Sequence, residues 1–181
     1  MLGIQPASAR VEGDVLIGNT NMVTASDSIA RKLRGKYISM VFQEPLTSLN
    51  PVRTISSQLA ESVRRHNNLG KKAAAARVLE VLTAVGIPAP EERMKTYPHQ
   101  LSGGLRQRVM IALALINSPQ VVIADEPTTA LDATIQAQIL DLLRSGMGNA
   151  ALMLITHDLA VAADVCDRIV VMYAGNIVEQ G

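Results

Sequence analysis

The sequence predicts an α/β fold: a mostly parallel sheet covered by helices and interrupted by an inserted α-helical subdomain. Three observations carry this expectation. Residues 121–124 and 151–155 are short, near-continuous apolar runs separated by helix-patterned segments, the pattern of strands buried on both faces. A stretch at about 47–100 is helix-patterned throughout and breaks the strand–helix rhythm. The chain has 181 residues, 48% hydrophobic and 18% charged, which suits one globular domain with a single core.

The elements follow in order. Residues 11–17 and 38–42 read as strands, with a basic helical segment at 29–34 between them. Ser48-Leu49-Asn50-Pro51 is a turn, and the helix after it spaces Val52, Ile55, Leu59 and Val63 on one face. The run from Lys71 is strongly helix-forming, with Val78, Leu82 and Val85 as its stripe, Gly86 as a stop, and Pro88 and Pro90 as breakers. Helices then cover about 103–117, 133–144 and 159–165. Strands cover 121–124, 151–155 and 168–172, all three assigned to the parallel sheet. Residues about 101–181 would thus form the core strands and their helices, within a single domain spanning 1–181.

Composition narrows the function. A net charge of +1 gives no electrostatic footprint for nucleic acid, and 2% aromatic residues give no base-stacking platform. The single cysteine, Cys166, permits no internal disulfide and reads as a small core residue, in keeping with a reducing compartment. No apolar run approaches the roughly 18 residues of a membrane span, and no signal-peptide plan opens the chain. An intracellular setting is therefore expected.

In a parallel sheet, ligands gather at the carboxyl ends of the strands. Asp125 and Glu126 sit at such an end, stopped by Pro127. Alternation along a strand would point them in opposite directions. One could then hold a magnesium ion while the other orients or deprotonates a water; the plain alternative is a solvated acidic turn. Ser102-Gly103-Gly104 opens a helix, where free N–H groups and the dipole favour an anion and two glycines let it approach closely. Ordinary capping would explain Ser102 but not the glycine pair. His157 follows another strand and could donate to a phosphate or position water, although a lone histidine is usually structural. Gln43 ends the 38–42 strand, where its amide could touch a metal-bound water. Asp132 reads as a helix N-cap, Arg106 and Arg108 as a solvated face, and His66 and His99 as surface or turn residues.

Taken together, Gln43, Leu101-Ser102-Gly103-Gly104, Val121-Val122-Ile123-Ala124-Asp125-Glu126-Pro127, Ala130-Leu131-Asp132 and Thr156-His157-Asp158 resemble the ATP-binding cassette (ABC) ATPases, in that family's order and close to its spacing. The segments at 38–51, 97–104 and 124–132 are similar to the bacterial dipeptide, oligopeptide, glutathione and nickel importer subfamily. The resemblance implies a P-loop NTPase-like fold that uses ATP and Mg2+. It implies that Gln43 senses magnesium and water, Asp125 organises magnesium, Glu126 is the catalytic base and His157 the switch histidine. Ser102, Gly103 and Gly104 would contact ATP held by a second cassette, and Asp132 would communicate across that dimer. Implied partners are a second ABC ATPase subunit (a copy or a paralogue), integral membrane permeases that dock on the helical subdomain and its 45–51 loop, and indirectly a periplasmic solute-binding protein. The implied place is the cytoplasmic face of the bacterial inner membrane.

The 181 residues contain no Gly-x-x-x-x-Gly-Lys-Ser/Thr loop, which in P-loop enzymes cradles the β and γ phosphates. The expectation is an N-terminally incomplete cassette, opening at residues 1–3 in mid-segment and inactive alone. The family places the loop's strand at the centre of its sheet. Without that strand, apolar sheet surface would be uncovered and the chain would be poorly soluble or molten. The alternative expectation is a non-catalytic or degenerate cassette that lends only its Leu-Ser-Gly-Gly side to a partner's ATP.

Overall fold

The computed structural model describes residues 8–44, 48–129, 131–146 and 148–181. The opening at 1–3, the 45–47 part of the proposed docking loop and Ala130 of the Ala-Leu-Asp segment lie outside the described residues.

The site is positioned by a three-stranded parallel sheet of β3 (Ile38–Val41), β4 (Val121–Asp125) and β5 (Ala151–Ile155), with β4 in the middle. Ile38 aligns with Val121 and Val121 with Ala151, so all three strands start together, and β3 ends at Val41, one residue short of the Asp125–Ile155 pair that closes β4 and β5. β-branched and other apolar side chains suit such a pleated, buried surface. Val41, Val122 and Ala124 are fully buried.

Before the sheet come a short antiparallel pair, β1 (Leu16–Ile17) and β2 (Thr20–Asn21), and helix α1 (Asp27–Leu33). The strand expected at 11–17 is therefore only its last two residues, because Gly18 takes φ +56 and turns the chain back into β2. After β3 the chain forms α2 (Ile55–Asn67), α3 (Lys71–Ala84), the single turn α4 (Pro90–Arg93) and a 3-10 turn at Pro98–Gln100. Thr54 caps α2 through the Ser57 N–H at 3.4 Å, and Ile55 N–H donates to the Thr96 carbonyl at 2.9 Å. Ile55, Leu59 and Val63 form the buried stripe of α2, as their spacing predicts. Val52 does not belong to it; it precedes the cap and is 79% exposed.

Helix α5 (Gly103–Leu115) packs on β3, α2 and α3, and on α6 (Ala133–Gly146). One continuous core results: Leu59, Val78, Leu82, Ile111, Val122 and Leu143 share a single buried cluster. Helix α7 (Leu159–Val165) follows β5, with Asp158 capping it through the Ala160 and Val161 N–H groups.

Two expectations are corrected here. The strand expected at 168–172 is β6 (Val170–Tyr173), and it leaves the parallel sheet to form an antiparallel hairpin with β7 (Asn176–Gln180). Ala174 and Gly175, both at positive φ, make the two-residue reversal that forces this pairing. The parallel sheet is covered on both faces at β4, where Val122, Ile123 and Ala124 are all buried, and open on one face at β5, the uncovered apolar sheet surface that the sequence leads one to expect. Leu152 and Leu154 of β5 pack into the core, while Met153 and Ile155, pointing the other way, are each 42% exposed. Cys166 is half-buried just beyond α7 rather than in the core, with its thiol pushed up by burial and by Asp167.

Candidate functional site

Parallel strands in register put their carboxyl ends side by side, and each of the three delivers one polar side chain there. Gln43 follows β3 by two residues, Glu126 follows β4 by one, and His157 follows β5 by two. The three meet. Gln43 Nε2 donates to Glu126 Oε2 at 3.0 Å, and His157 Nδ1 lies 3.1 Å from Glu126 Oε1. Both carboxylate oxygens are thus engaged.

The backbone explains why Glu126 is the hub. Its φ is +44, a left-handed conformation that L-residues adopt at some cost. Its N–H extends the ladder to the Ile155 carbonyl at 2.9 Å. Strand alternation, the expected reason for Asp125 and Glu126 to diverge, therefore stops at Asp125, and the left-handed turn decides where Glu126 points. Asp125 ends β4, half-buried, and among the described residues its carboxylate accepts no hydrogen bond.

Two residues that sequence reasoning passed over complete the arrangement. Thr129 Oγ1 donates to Glu126 Oε2 at 2.8 Å, closing a turn four residues long. Gln107, only 2% exposed, donates from Nε2 to the Pro127 carbonyl at 2.6 Å and ties α5 to this turn. Thr129 was visible in the Thr128-Thr129 pair after Pro127. Gln107 was hidden between Arg106 and Arg108, a run that reads as solvated. Arg108 departs from that reading too: its guanidinium donates to the Val85 carbonyl and to Gln138 Oε1, both at 2.7 Å. The hydroxyl of Thr129, foremost, and then the His157 and Gln43 bonds hold the Glu126 carboxyl below its ordinary value, so it is ionised at neutral pH.

The remaining candidates have other contacts. Ser102 caps α5, accepting from the Leu105 N–H at 3.4 Å. A Cβ on Gly103 would meet nothing within 4 Å, so that helix start opens outward, whereas one on Gly104 would come 3.1 Å from Ile135 Cγ2 of α6. Asp132 accepts from the Ile135 N–H at 3.0 Å, the cap its position predicts. No hydrogen bond joins Ser102 or Asp132 to Glu126, Gln43 or His157 among the described residues. His99 stacks on Tyr97 with ring centroids 5.7 Å apart. His66, expected at the surface, is half-buried against Gly35.

With this geometry in place, the comparison with known proteins is decisive. The ABC transporter family matches residues 4–129, more than half of the chain. The chain belongs to the ABC transporter family. It is 52% identical over 181 residues to the dipeptide transport ATP-binding protein DppD of Bacillus subtilis, covering 98% of this chain and 54% of that protein. It is 47% identical over 182 residues to the oligopeptide transport ATP-binding protein OppD of Mycobacterium tuberculosis, covering 99% of this chain and 30% of that one. The chain thus spans about half the length of the former relative and less of the latter. Among solved structures, a dimeric post-hydrolysis ATP-binding cassette bound to ADP and Pi superposes with a TM-score of 0.83 at 30% identity, over 94% of this chain and 73% of that one. The α/β cassette fold expected from the sequence is that of these relatives.

Proposed function

We propose that this chain is part of the ATP-binding subunit of an importer for peptides or a related small solute, and that it carries the water-activating side of an ATP site. The meeting of Gln43, Glu126 and His157 at the ends of three adjacent strands is the observation that carries this reading. The names of the dipeptide and oligopeptide transport relatives support the solute class.

Glu126 is the base. It is ionised, faces out at the strand ends, and would accept a proton from a water that attacks the terminal phosphate. Gln43 and His157 fix its two oxygens, and either can turn to hold the water or a phosphate oxygen once the nucleotide enters. Magnesium, when bound, would neutralise and orient the phosphates. The donor set fits it: Mg2+ takes one or two protein carboxylates with phosphates and waters, and Asp125, at the end of β4, offers a carboxylate with no hydrogen-bond partner among the described residues.

Ser102, Gly103 and Gly104 make no hydrogen bond to this carboxylate among the described residues and would serve the nucleotide of a second cassette, with Asp132 beside that interface. The dimeric state of the solved relative supports such a pairing. The helical segment over residues 47–100 would form the subdomain that meets the membrane permeases, which a periplasmic binding protein would supply, and the subunit would sit on the cytoplasmic face of the membrane. No described helix is long and apolar enough to cross a membrane.

As part of this reading, a chain of these 181 residues, which hold no phosphate-cradling loop, is expected to turn over no ATP by itself. Mixing it with a complete cassette whose own Ser-Gly-Gly corner is disabled tests the shared site. ATP turnover is expected to be absent with this chain alone, to return in the mixture, and to vanish again with Ser102→Ala plus Gly103→Asp. Turnover by the chain alone would overturn the inactivity, and no recovery in the mixture would overturn the pairing.

A further inference from the structure

At the opposite end of β3 from Gln43, residues of three separate segments surround a concavity of about 480 Å³: Arg31 and Lys32 from the end of α1, Lys36 and Tyr37 from the following loop, and Arg65 and His66 from the end of α2. The size falls within the roughly 300–1,000 Å³ of small-ligand sites. At ~3.3 Å per strand residue, the six steps from Tyr37 to Gln43 place it roughly 20 Å from the Glu126 cluster.

Cations in a helix's last turn complement its dipole, which accounts for Arg31, Lys32 and Arg65 singly. It does not account for their facing one another, nor for Lys36, which lies outside any helix. Among the described residues no carboxylate lines the concavity and none of the four cations makes an ion pair, although Arg10, Arg53 and Arg77 each have one. Arg31 Nε donates to the Asp27 carbonyl at 3.2 Å, Lys36 Nζ lies 5.6 Å from the Tyr37 ring centroid, and Glu61 feels the charge of Arg65 from outside the concavity. The imidazole of His66 reports the same field. Burial first, then Arg65 and Lys36, push its pKa down, and no acid opposes them.

The site is also built rather than improvised. Gly35 takes φ +75, and a Cβ there would meet His66 Nε2 at 2.9 Å, so the loop lies directly against the end of α2. Asn117 fastens it, donating to the Gly35 carbonyl at 2.8 Å and to Ser62 Oγ at 3.0 Å, while Asn67 donates to Asn117 Oδ1 at 2.7 Å. The loop's own N–H groups are spent: Gly35 on Ile38, and Lys36 and Tyr37 on Leu33. Any ligand must be held by side chains.

We propose that this concavity binds a multivalent oxyanion of the phosphate class, through Lys36, Arg65, Arg31 and Lys32, with the Tyr37 hydroxyl as a neutral donor. Ammonium and guanidinium donors bind phosphate oxygens strongly, and an anion relieves the mutual repulsion of four cations that make no ion pair among the described residues. The same group could belong to a free phosphate compound or to a lipid head. The inference is independent of the ATP reading, since no residue is shared with that site.

The test titrates the 181-residue chain with inorganic pyrophosphate by calorimetry, and separately measures co-sedimentation with phosphatidylglycerol–phosphatidylcholine vesicles. His66 imidazole resonances, assigned with His66→Gln, report occupancy of this site. Binding that shifts His66 and weakens about tenfold or more in the Lys36→Gln/Arg65→Gln variant supports the proposal, since charged hydrogen bonds carry that magnitude. Response to pyrophosphate marks a free anion; response to vesicles alone marks a lipid head. Far-UV circular dichroism checks folding, and Arg31→Gln/Lys32→Gln, at exposed helix positions, serves if the first pair disturbs it. Unchanged affinity in the variants, binding that leaves His66 unmoved, or no response to either probe overturns it.

Discussion

Glu126 is the hub of the candidate site because three side chains converge on its carboxylate, and each makes a separable contribution. Removing the hydroxyl in Thr129→Val deletes the foremost influence on the carboxyl. Its pKa is expected to rise towards the ordinary value, read by carbon-13 NMR of the Glu126 carboxyl against pH. The sign for stability follows from linkage. The folded pKa is lowered, so these contacts add stability above the ordinary value of 4.5, and that stability is lost as pH falls through the folded value. The stability difference between the wild-type chain and Glu126→Gln should therefore hold steady from neutrality downwards and diminish only below 4.5, as urea titrations at several pH values would show. Gln107→Leu leaves the buried Pro127 carbonyl without its donor, at about 1–3 kcal/mol. Urea denaturation measures that loss, and the His157 resonances report whether the Glu126 turn moves with it.

At the scale of elements, periodicity was a sound guide wherever one stripe faces one core. Ile55, Leu59 and Val63 of α2, and Val78 and Leu82 of α3, are buried as their spacing required. Leu82 is wholly buried in the cluster that joins the helical insertion to the sheet. Leu82→Ala should cost about 2–5 kcal/mol and shift a single urea transition rather than split it, because the two parts share that core. Val52 shows where the stripe argument ends: it matches the period, yet the Thr54 cap starts the helix after it. Pairing partners were not legible. An apolar run says strand, but not which neighbour it hydrogen-bonds, so the run after α7 was placed in the parallel sheet when its turn folds it onto β7. Arg108 and Gln107 were likewise invisible as interior groups, since nothing local to a charged run shows that another helix or a turn will supply carbonyl partners.

For the whole molecule, β5 leaves one face open: Met153 and Ile155 present apolar side chains there, and Met172 and Ile177 are exposed on the separate β6–β7 hairpin. Exposed apolar strand surface of this kind promotes association. The chain by itself should bind the dye ANS and self-associate, and Met153→Lys plus Ile155→Lys should lower both without lowering the thermal midpoint, as light scattering and calorimetry would reveal. The sequence by itself determined most element types and singled out Gln43, Asp125, Glu126 and His157 as polar residues at strand ends, because periodicity, caps and breakers are local properties. Only the tertiary structure decided that Glu126 would be the hub, that Thr129 and Gln107 would support it, and that cations from α1, α2 and their neighbouring loop would share one hollow. Those outcomes depend on strand register, on one left-handed turn and on which helix ends come together, all of which arise from contacts between residues far apart in the chain.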